Sequence, residues 1–359
     1  MTIGDYAAQA LIGKLLLLNS FPEDGLIAEE SSKGLEHDPV LAEEIVQVFH
    51  KCGVEHVISS IEELKECIDL GQSYNPSTGQ VLKDEVSQRK WCLDPIDGTR
   101  GFLRGKKDGG QYCIALALIE DGIPIVGLLA CPNLPTSPSE QDSFAWGTEE
   151  TMENWLEHRG CIFVASKGGG CFQLPLFPPA NQADSSTEGA IRVSCTTSVK
   201  EEEDESSSSS VGRSISQGRF CTGVESYSDA LGETNAMALK IHGSLKDNGD
   251  ILYRRRMDSQ VKYGILARGE AEYMTRLPKK EYVEWIWDHA AGRVVIEEAG
   301  GVQTDTRGEL IDYGLGAKMD PNVNGILVSA GGEFHEALVR SYREQAEERE
   351  NASTSSSDS

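Results

Sequence analysis

The segment Asp-Pro-Ile-Asp-Gly-Thr at residues 94–99 holds the side chains best suited to chemistry in this sequence. Hard divalent cations prefer carboxylate and carbonyl oxygens, and Asp94, Asp97 and the Ile96 carbonyl group could supply them. We expect a strand to end at Asp94 and the chain to turn at once, because Pro95 has no amide hydrogen and fixes φ. A surface turn rich in Asp and Gly would have the same composition. The local spacing alone supports a metal site and an ordinary turn equally.

Neighbouring residues and further acidic segments favour the metal site. Gly98 has no side chain, so the backbone amides of Gly98 and Thr99 at a helix start could receive a phosphate group. Glu29-Glu30 follows a short predicted strand, and Asp288 begins a predicted helix that continues with small residues. Alone, the first would be a solvated loop and the second an ordinary N-cap. Together, acids at several strand and helix ends match a phosphoryl-transfer site with two or three metal ions.

The elements that must position these acids alternate along the chain. In the first half we predict helices at 6–19, 39–52 and 61–70, the second capped by Asp38, and strands at 26–28, 91–93, 112–119, 123–130, 144–147 and 162–165. Asp121-Gly122 predicts a tight hairpin turn. In the second half we predict strands at 191–195, 220–225, 272–275 and 326–329, and helices at 231–242, 259–268, 289–298 and 333–348. The Arg-Arg-Arg run at 254–256 is predicted as a solvated turn.

This alternation predicts an α/β fold class, with an α+β N-terminal half and an α/β C-terminal half. We expect an N-terminal subdomain with the metal site at 1–175 and a C-terminal subdomain at 218–349. Insertions rich in Pro, Ser and acidic residues, around one strand, are expected at 176–217, and a disordered tail at 350–359.

Charge and composition exclude several classes of protein. With 33 Lys and Arg against 58 Asp and Glu, the formal net charge is −25, which argues against a nucleic-acid polymer as partner. A phosphorylated small ligand would need metal ions or a local basic pocket. The longest aliphatic run, at 15–18, is too short for a membrane span, and no signal peptide fits, so we expect a cytoplasmic protein. Nine cysteines without a Cys-x-x-Cys pair predict reduced thiols and no zinc site.

The combination of acidic motifs resembles the lithium-sensitive, magnesium-dependent phosphomonoesterase superfamily that includes inositol monophosphatase. Four segments are similar to its 3′(2′),5′-bisphosphate nucleotidase branch: Gly-Asp-Tyr-Ala-Ala-Gln at 4–9, Asp-Pro-Ile-Asp-Gly-Thr-Arg-Gly-Phe at 94–102, Asp-Ser-Gln-Val-Lys-Tyr at 258–263 and Trp-Asp-His-Ala-Ala-Gly at 287–292. Inositol monophosphatases usually carry Thr-Asn-Phe in place of Arg-Gly-Phe at 100–102. The resemblance runs from about residue 2 to 342 and implies a layered α-β-α-β-α sandwich.

The resemblance also implies roles for individual residues. Five groups would hold two or three Mg²⁺ ions: Glu29, Asp94, Asp97, Asp288 and the Ile96 carbonyl group. Thr99, paired with Asp5, would position and deprotonate the attacking water. Six residues would bind the substrate: Gly98, Thr99, Ser259, Lys262, Arg276 and Asp288. Of these, Lys262 and Arg276 would contact the nucleotide and its retained 5′-phosphate. Without the metal motifs, both would be ordinary solvated charges.

The chain departs from the family pattern in two places. Family members normally begin with a further helix and a Lys-x-Asp-x-Ser-Pro-Val-Thr stretch, whereas only Met-Thr-Ile at 1–3 precedes Gly4 here. We therefore expect either a truncated gene model or a shortened enzyme. The nucleotide-binding strand often has His after Val-Glu, but residues 224–229 read Val-Glu-Ser-Tyr-Ser-Asp. Tyr227 or Ser228 would have to take the place of that His.

The reaction implied by the resemblance is hydrolysis of adenosine 3′,5′-bisphosphate to AMP and phosphate. The related 3′-phosphoadenosine 5′-phosphosulfate is an expected second substrate, with roles in sulfate assimilation and salt tolerance. We expect a monomer whose partner is a small bisphosphorylated nucleotide. The alternatives are an inositol phosphate phosphatase and an inactive, nucleotide-binding relative. The intact metal-ligand positions, together with Asp5 and Thr99, favour the active enzyme.

Overall fold

The described part of the chain comprises two β-sheets and the helices that cover them. The computed structural model describes residues 1–72, 74, 79, 89–137, 159–177, 189–196, 213–224, 228–279 and 281–357. The predicted strand at 144–147, most of the low-complexity segments and Tyr227 lie outside these residues.

The first sheet has seven strands that lie side by side in chain order. They are β1 Gly25–Ala28, β2 Arg89–Asp97, β3 Cys113–Glu120, β4 Ile123–Pro135, β5 Arg159–Ser166, β6 Gly170–Pro175 and β7 Ile191–Val193. Only the β1–β2 pair among them is parallel. Asp121 and Gly122 both have positive φ, at 50° and 78°, which confirms the predicted tight turn between β3 and β4. β7 comes from the region predicted as insertions.

The second sheet has five strands in the order β11-β12-β10-β8-β9. They are β8 Phe220–Thr222, β9 Arg254–Arg256, β10 Tyr273–Arg276, β11 Val302–Asp305 and β12 Ile326–Ser329. The predicted solvated turn at 254–256 is therefore wrong. Arg254 forms an ion pair with Asp250 and donates to the Thr222 hydroxyl, and Arg255 is buried, so local contacts hold these cations in an edge strand.

Eight α-helices cover the sheets within the described residues. They are α1 Ile3–Gly13, α2 Pro39–Lys51, α3 Ile61–Asp69, α4 Thr99–Arg104, α5 Ser228–His242, α6 Val261–Ala267, α7 Ala290–Glu298 and α8 Gly332–Ser357. Asp38 caps α2 by accepting a hydrogen bond from the Leu41 amide, as expected. The last helix continues past residue 349, where the sequence predicts a disordered tail. None of the described helices combines the length and the apolar character that a membrane span requires.

Strand β2 passes through Pro95 and ends at Asp97, which corrects the prediction that it stops at Asp94. The register between β2 and β3 shifts between Asp94 and Asp97. A proline without an amide hydrogen is tolerated at such an irregularity, because the ladder is already interrupted there. The irregular stretch carries both aspartates at the carboxyl end of β2.

Helix α7 packs against β4 through a glycine contact that fixes the distance between them. A Cβ atom on Gly127 of β4 would lie 2.5 Å from the Ala291 carbonyl oxygen and 2.9 Å from Cβ of Val294. Buried side chains of both sheets and of α7 belong to one hydrophobic core. This packing places the start of α7, where Asp288 lies, next to the first sheet.

We expect Gly127→Ala to lower the free energy of unfolding by about 1–3 kcal/mol, since the added methyl group would push α7 away from β4. Gly232→Ala is the control, because Gly232 lies in α5 and a Cβ atom there meets nothing within 4 Å. That variant should be neutral or slightly stabilising. Urea denaturation measures both, and equal stability of the two variants would contradict the packing argument.

Candidate active site

Three carboxylates meet at the carboxyl end of β2. One oxygen each of Asp94, Asp97 and Asp288 lies within 4.8 Å of the other two. Asp94 and Asp97 come from the irregular end of β2, and Asp288 ends a short 3₁₀ turn, Ile286–Asp288, that precedes α7. Residues almost 200 positions apart in the sequence therefore form one acidic cluster, as the motifs predict.

Glu29 joins this cluster from the neighbouring strand. It directly follows β1, which is parallel to β2, so both strands end at the same edge of the sheet. Its carboxyl group is hydrogen bonded to that of Asp94. Part of the Glu29 side chain is exposed, but its carboxyl group lies among protein atoms. Burial, together with the charges of Asp5 and Asp97, raises the pKa of Glu29 to about 7.

The cluster is electrostatically strained without a cation. Burial raises the pKa of Asp94 and of Asp288 well above the usual range, and the charge of Asp97 raises both further. Burial also raises the pKa of Asp97, although the nearby Lys262 ammonium group opposes this shift. Because these groups are hard oxygen donors that repel one another at short range, they fit a divalent cation.

Next to the aspartates, the backbone supplies a further oxygen and an open approach. The Thr99 hydroxyl donates to the Ile96 carbonyl oxygen at 3.4 Å, a long contact that leaves this oxygen available for a metal ion. Gly98 has φ of 92° and precedes α4, and a Cβ atom there would lie 2.7 Å from Cβ of Ser259. The absence of a side chain at Gly98 therefore lets β2 and the Ser259 turn approach each other.

Asp5 lies near Glu29 but is bonded within its own helix. It is buried, and its carboxylate accepts a hydrogen bond from the Thr2 amide as part of a capping box at the start of α1. Its charge raises the pKa of Glu29, which places the two carboxylates in electrostatic range. Among the described hydrogen bonds, none joins Asp5 to Thr99. The predicted pairing of these residues therefore stays a prediction.

Ser259 and Lys262 form a turn beside Asp97. Ser259 has a positive φ of 61°, a conformation that costs energy for a residue other than glycine and is common at functional sites. Its hydroxyl accepts from the Val261 amide at 3.2 Å, and its carbonyl oxygen accepts from Nζ of Lys262 at 2.6 Å. The ammonium group of Lys262 is thereby held at the start of α6, close to the acidic cluster.

A half-exposed arginine, Arg276, is held near Asp288 by the buried residues Glu284 and His289. Arg276 ends β10, and its Nε donates to Oε1 of Glu284 at 2.9 Å. Glu284 also contacts His289, whose Nδ1 lies 2.9 Å from the Tyr263 hydroxyl. Burial opposes ionisation of Glu284, but its contacts with His289 and Arg276 outweigh burial and lower its pKa to about 2. The positive charge of Arg276 opposes the rise in the pKa of Asp288.

Sequence reasoning assigned no role to Glu284, His289 or Gln260. His289 and Gln260 lie inside the recognised motifs, so the motifs were the available signal. Glu284 stands four residues before Asp288 without a pattern of its own, and only the fold brings it to Arg276. The structure thus gathers the predicted acids, Lys262 and Arg276 in one place and adds the network that orients them.

The chain is similar to known proteins over most of its length. The inositol monophosphatase family model matches residues 1–347. A 3′(2′),5′-bisphosphate nucleotidase of Emericella nidulans is 36% identical over 332 residues, covering 90% of this chain and 82% of that protein. Proteins of the same name from Dictyostelium discoideum and Schizosaccharomyces pombe are 36% and 33% identical, covering 92% and 94% of this chain and 81% and 82% of theirs. An inositol monophosphatase structure from Zymomonas mobilis aligns at a TM-score of 0.47 with 15% identity, covering 95% of this chain and 94% of that chain.

The raised pKa values predict a pH-dependent effect of Mg²⁺ on thermal stability. A carboxyl group whose pKa is raised by folding stabilises the fold while protonated, and this contribution is lost as pH rises through about 7. Mg²⁺ at 1 mM should therefore raise Tm more at pH 8 than at pH 6, by roughly 2 °C or more. Asp94→Asn should lose most of this response. Tm is measured by differential scanning fluorimetry. Equal Mg²⁺-induced rises in Tm at both pH values would contradict the interpretation of the acidic cluster as a cation site.

Proposed function

The chain belongs to the inositol monophosphatase family, and from this premise we propose that it is a metal-dependent phosphatase that hydrolyses the 3′-phosphate of adenosine 3′,5′-bisphosphate. The observation that carries the proposal is the cluster of Asp94, Asp97 and Asp288, completed by Glu29. The similarity to proteins named 3′(2′),5′-bisphosphate nucleotidase supports the choice of substrate.

We propose Mg²⁺ as the cofactor, with two or three ions per active site. The groups that would hold them are Glu29, Asp94, Asp97, Asp288 and the Ile96 carbonyl oxygen. When bound there, Mg²⁺ would lower the pKa of a water molecule and neutralise the charge of the phosphoryl oxygens. The protein contributes rigid placement, since both aspartates of β2 are fixed by strand pairing and Asp288 by α7.

The residues proposed to handle the attacking water are Thr99 and Asp5. Among the residues that the structure describes, the Thr99 hydroxyl has the long contact to the Ile96 carbonyl oxygen as its one hydrogen bond, so it can turn to a water molecule at little cost. Asp5 is buried close to Glu29, where a carboxylate can accept the proton that this water loses. Thr99 contacts the end of β2, and the charge of Asp5 acts on Glu29 at the end of the neighbouring parallel strand, which supports a role for both at one reacting centre.

Substrate binding is proposed to depend on two cations beside the acidic cluster. The chain carries a net charge of −25, so a doubly phosphorylated ligand needs local positive charge in addition to the metal ions. Lys262 lies next to Asp97, and the guanidinium group of Arg276 is oriented by Glu284. The 5′-phosphate would bind to these two cations, while Ser259 and the open backbone at Gly98 receive the sugar and the 3′-phosphate.

The deciding experiment measures phosphate release by the purified protein from adenosine 3′,5′-bisphosphate in Mg²⁺, with and without LiCl. 3′-Phosphoadenosine 5′-phosphosulfate, inositol 1-phosphate and AMP are the comparison substrates. Release from the bisphosphate, inhibition by Li⁺ and no release from AMP would support the proposed 3′-phosphatase. Faster release from inositol 1-phosphate, or no release from any substrate, would contradict it.

We expect Asp97→Asn to lower kcat/KM at least about 100-fold. Residues that only support metal ligands already cost about 10–100-fold when changed, and Asp97 is a proposed direct ligand. Asp247→Asn is the matched control, since Asp247 is exposed on a turn outside the acidic cluster. Its activity should equal that of the wild type. The same assay compares them, and an Asp97→Asn enzyme of near wild-type activity would rule out this metal site.

Lys262→Ala should raise KM for adenosine 3′,5′-bisphosphate about 10-fold or more, because a charge-assisted hydrogen bond to the 5′-phosphate would be lost. KM for adenosine 3′-monophosphate, which has no 5′-phosphate, should change much less. Lys246→Ala, at an exposed position, serves as the control. Steady-state kinetics on both substrates give the answer, and equal effects on the two would remove Lys262 from the 5′-phosphate site.

A further inference from the structure

Gln260 is a buried glutamine whose backbone and side chain connect the two halves of the acidic cluster. The residue is 2% exposed. Its backbone amide donates to Oδ2 of Asp97. Its side-chain Nε2 donates to the Trp287 carbonyl oxygen at 2.8 Å, and its Oε1 accepts from the Gly292 amide at 3.2 Å. One residue thus contacts both the end of β2 and the chain on either side of Asp288.

The contact with Gly292 caps the start of α7, where the N-cap residue itself makes no side-chain capping hydrogen bond. Gly292 is the third residue of α7, and its amide has no acceptor within the helix, like the other amides of a first turn. The N-cap residue, His289, makes no side-chain capping bond, because its ring is bonded to Tyr263 and contacts Glu284. Gln260 provides the missing acceptor from a different element.

The contact with Trp287 fixes the residue directly before Asp288. The Trp287 carbonyl oxygen belongs to the peptide group that leads into Asp288, so a hydrogen bond to this oxygen restrains the backbone from which the Asp288 carboxylate projects. Together with the Gly292 contact, the Gln260 amide holds both sides of Asp288. The same residue orients one Asp97 oxygen, Oδ2, through its backbone amide.

The strained conformation of Ser259 supports a positioning role for the turn. With φ at 61°, Ser259 turns the chain so that the Gln260 amide points to Asp97 and the Gln260 side chain enters the core. The close approach of Gly98 and Ser259 permits the same geometry. A non-glycine residue with positive φ persists only where its surroundings hold it, and the contacts around Ser259 include Lys262 Nζ to the Ser259 carbonyl oxygen and the Gln260 amide to Asp97.

We propose that Gln260 is a positioning residue of the metal centre, which sets the distance between Asp97 and Asp288 so that both can hold the same cation. This inference rests on the proposed metal site of the phosphatase and adds a residue that ligates nothing itself. Outer residues that orient metal ligands typically contribute about 10–100-fold to metal affinity. Without the side-chain amide, Asp288 would lose its fixed position relative to β2.

The test replaces Gln260 by Met, which is similar in length and removes both side-chain hydrogen bonds. Gln173→Met is the matched control. Gln173 is also a buried glutamine that donates to a carbonyl oxygen, Thr136 O, and accepts one hydrogen bond, from Arg268, but it lies in β6 away from the cluster. Binding of Mn²⁺ to each protein is measured by electron paramagnetic resonance of the free ion, which requires no catalytic activity.

We expect Gln260→Met to weaken Mn²⁺ binding about 10-fold or more, and Gln173→Met to bind as the wild type does. Phosphate release by Gln260→Met should then require a higher Mg²⁺ concentration for half-maximal rate and recover in part at saturation. If Gln260→Met does not fold, as judged by circular dichroism, Gln260→Asn replaces it, since the shorter amide cannot span Trp287 and Gly292.

Equal Mn²⁺ affinity of the Gln260 variant and the Gln173 variant would overturn the inference. This outcome is separate from failure of the proposed substrate. A wild-type protein that binds Mn²⁺ but releases no phosphate from adenosine 3′,5′-bisphosphate would contradict the proposed reaction, while the comparison of metal affinities would still decide the role of Gln260.

Discussion

The repulsion among carboxylates that are held close together away from water is the constraint on which the rest of this structure depends. Asp94, Asp97, Asp288 and Glu29 would separate if the chain did not hold them. Because they are held together and buried, the pKa values of Glu29, Asp94 and Asp288 are raised. The fold meets this constraint with rigid elements: two parallel strand ends carry three of the acids, and the start of a buried helix carries the fourth. Such an arrangement stores unfavourable electrostatic energy that a divalent cation would release.

The packing around the cluster also helps to hold the repelling carboxylates close together. Gly127 lets α7 approach β4 at backbone contact, and the absence of a side chain at Gly98 lets the Ser259 turn approach β2. Glycine at these positions loses more backbone conformational entropy on folding than a larger residue would, but it permits the close approaches that bring the acids within range of one another. The positive φ of Ser259 is a second local cost. These local costs are offset by the large shared core.

Local signals allowed much of the fold to be predicted, and long-range contacts account for what was missed. Asp38 caps a helix through its own side chain, and Asp121-Gly122 forms a tight turn because of its backbone preference. Both features could therefore be predicted from the local sequence. Pro95 stops a regular strand, yet β2 continues because the register shifts against β3, which no local pattern shows. The Arg run at 254–256 looks solvated until Asp250 and Thr222 are placed beside it. The acids were predictable as separate motifs, whereas the network of Glu284 and His289 depends on the finished fold.

The net negative charge of the chain makes the positions of the few cations near the acidic cluster important for binding an anionic ligand. An anionic ligand approaching a surface of net charge −25 is repelled except where cations are fixed. Lys262 is fixed by the Ser259 carbonyl oxygen and Arg276 by Glu284, and each faces an aspartate of the cluster. Both cations lower the repulsion among the acids, and the same charges would attract a phosphate group once metal ions neutralise the carboxylates. Under the proposed function, the two side chains that ease the repulsion within the cluster are therefore also those that would attract a doubly phosphorylated ligand.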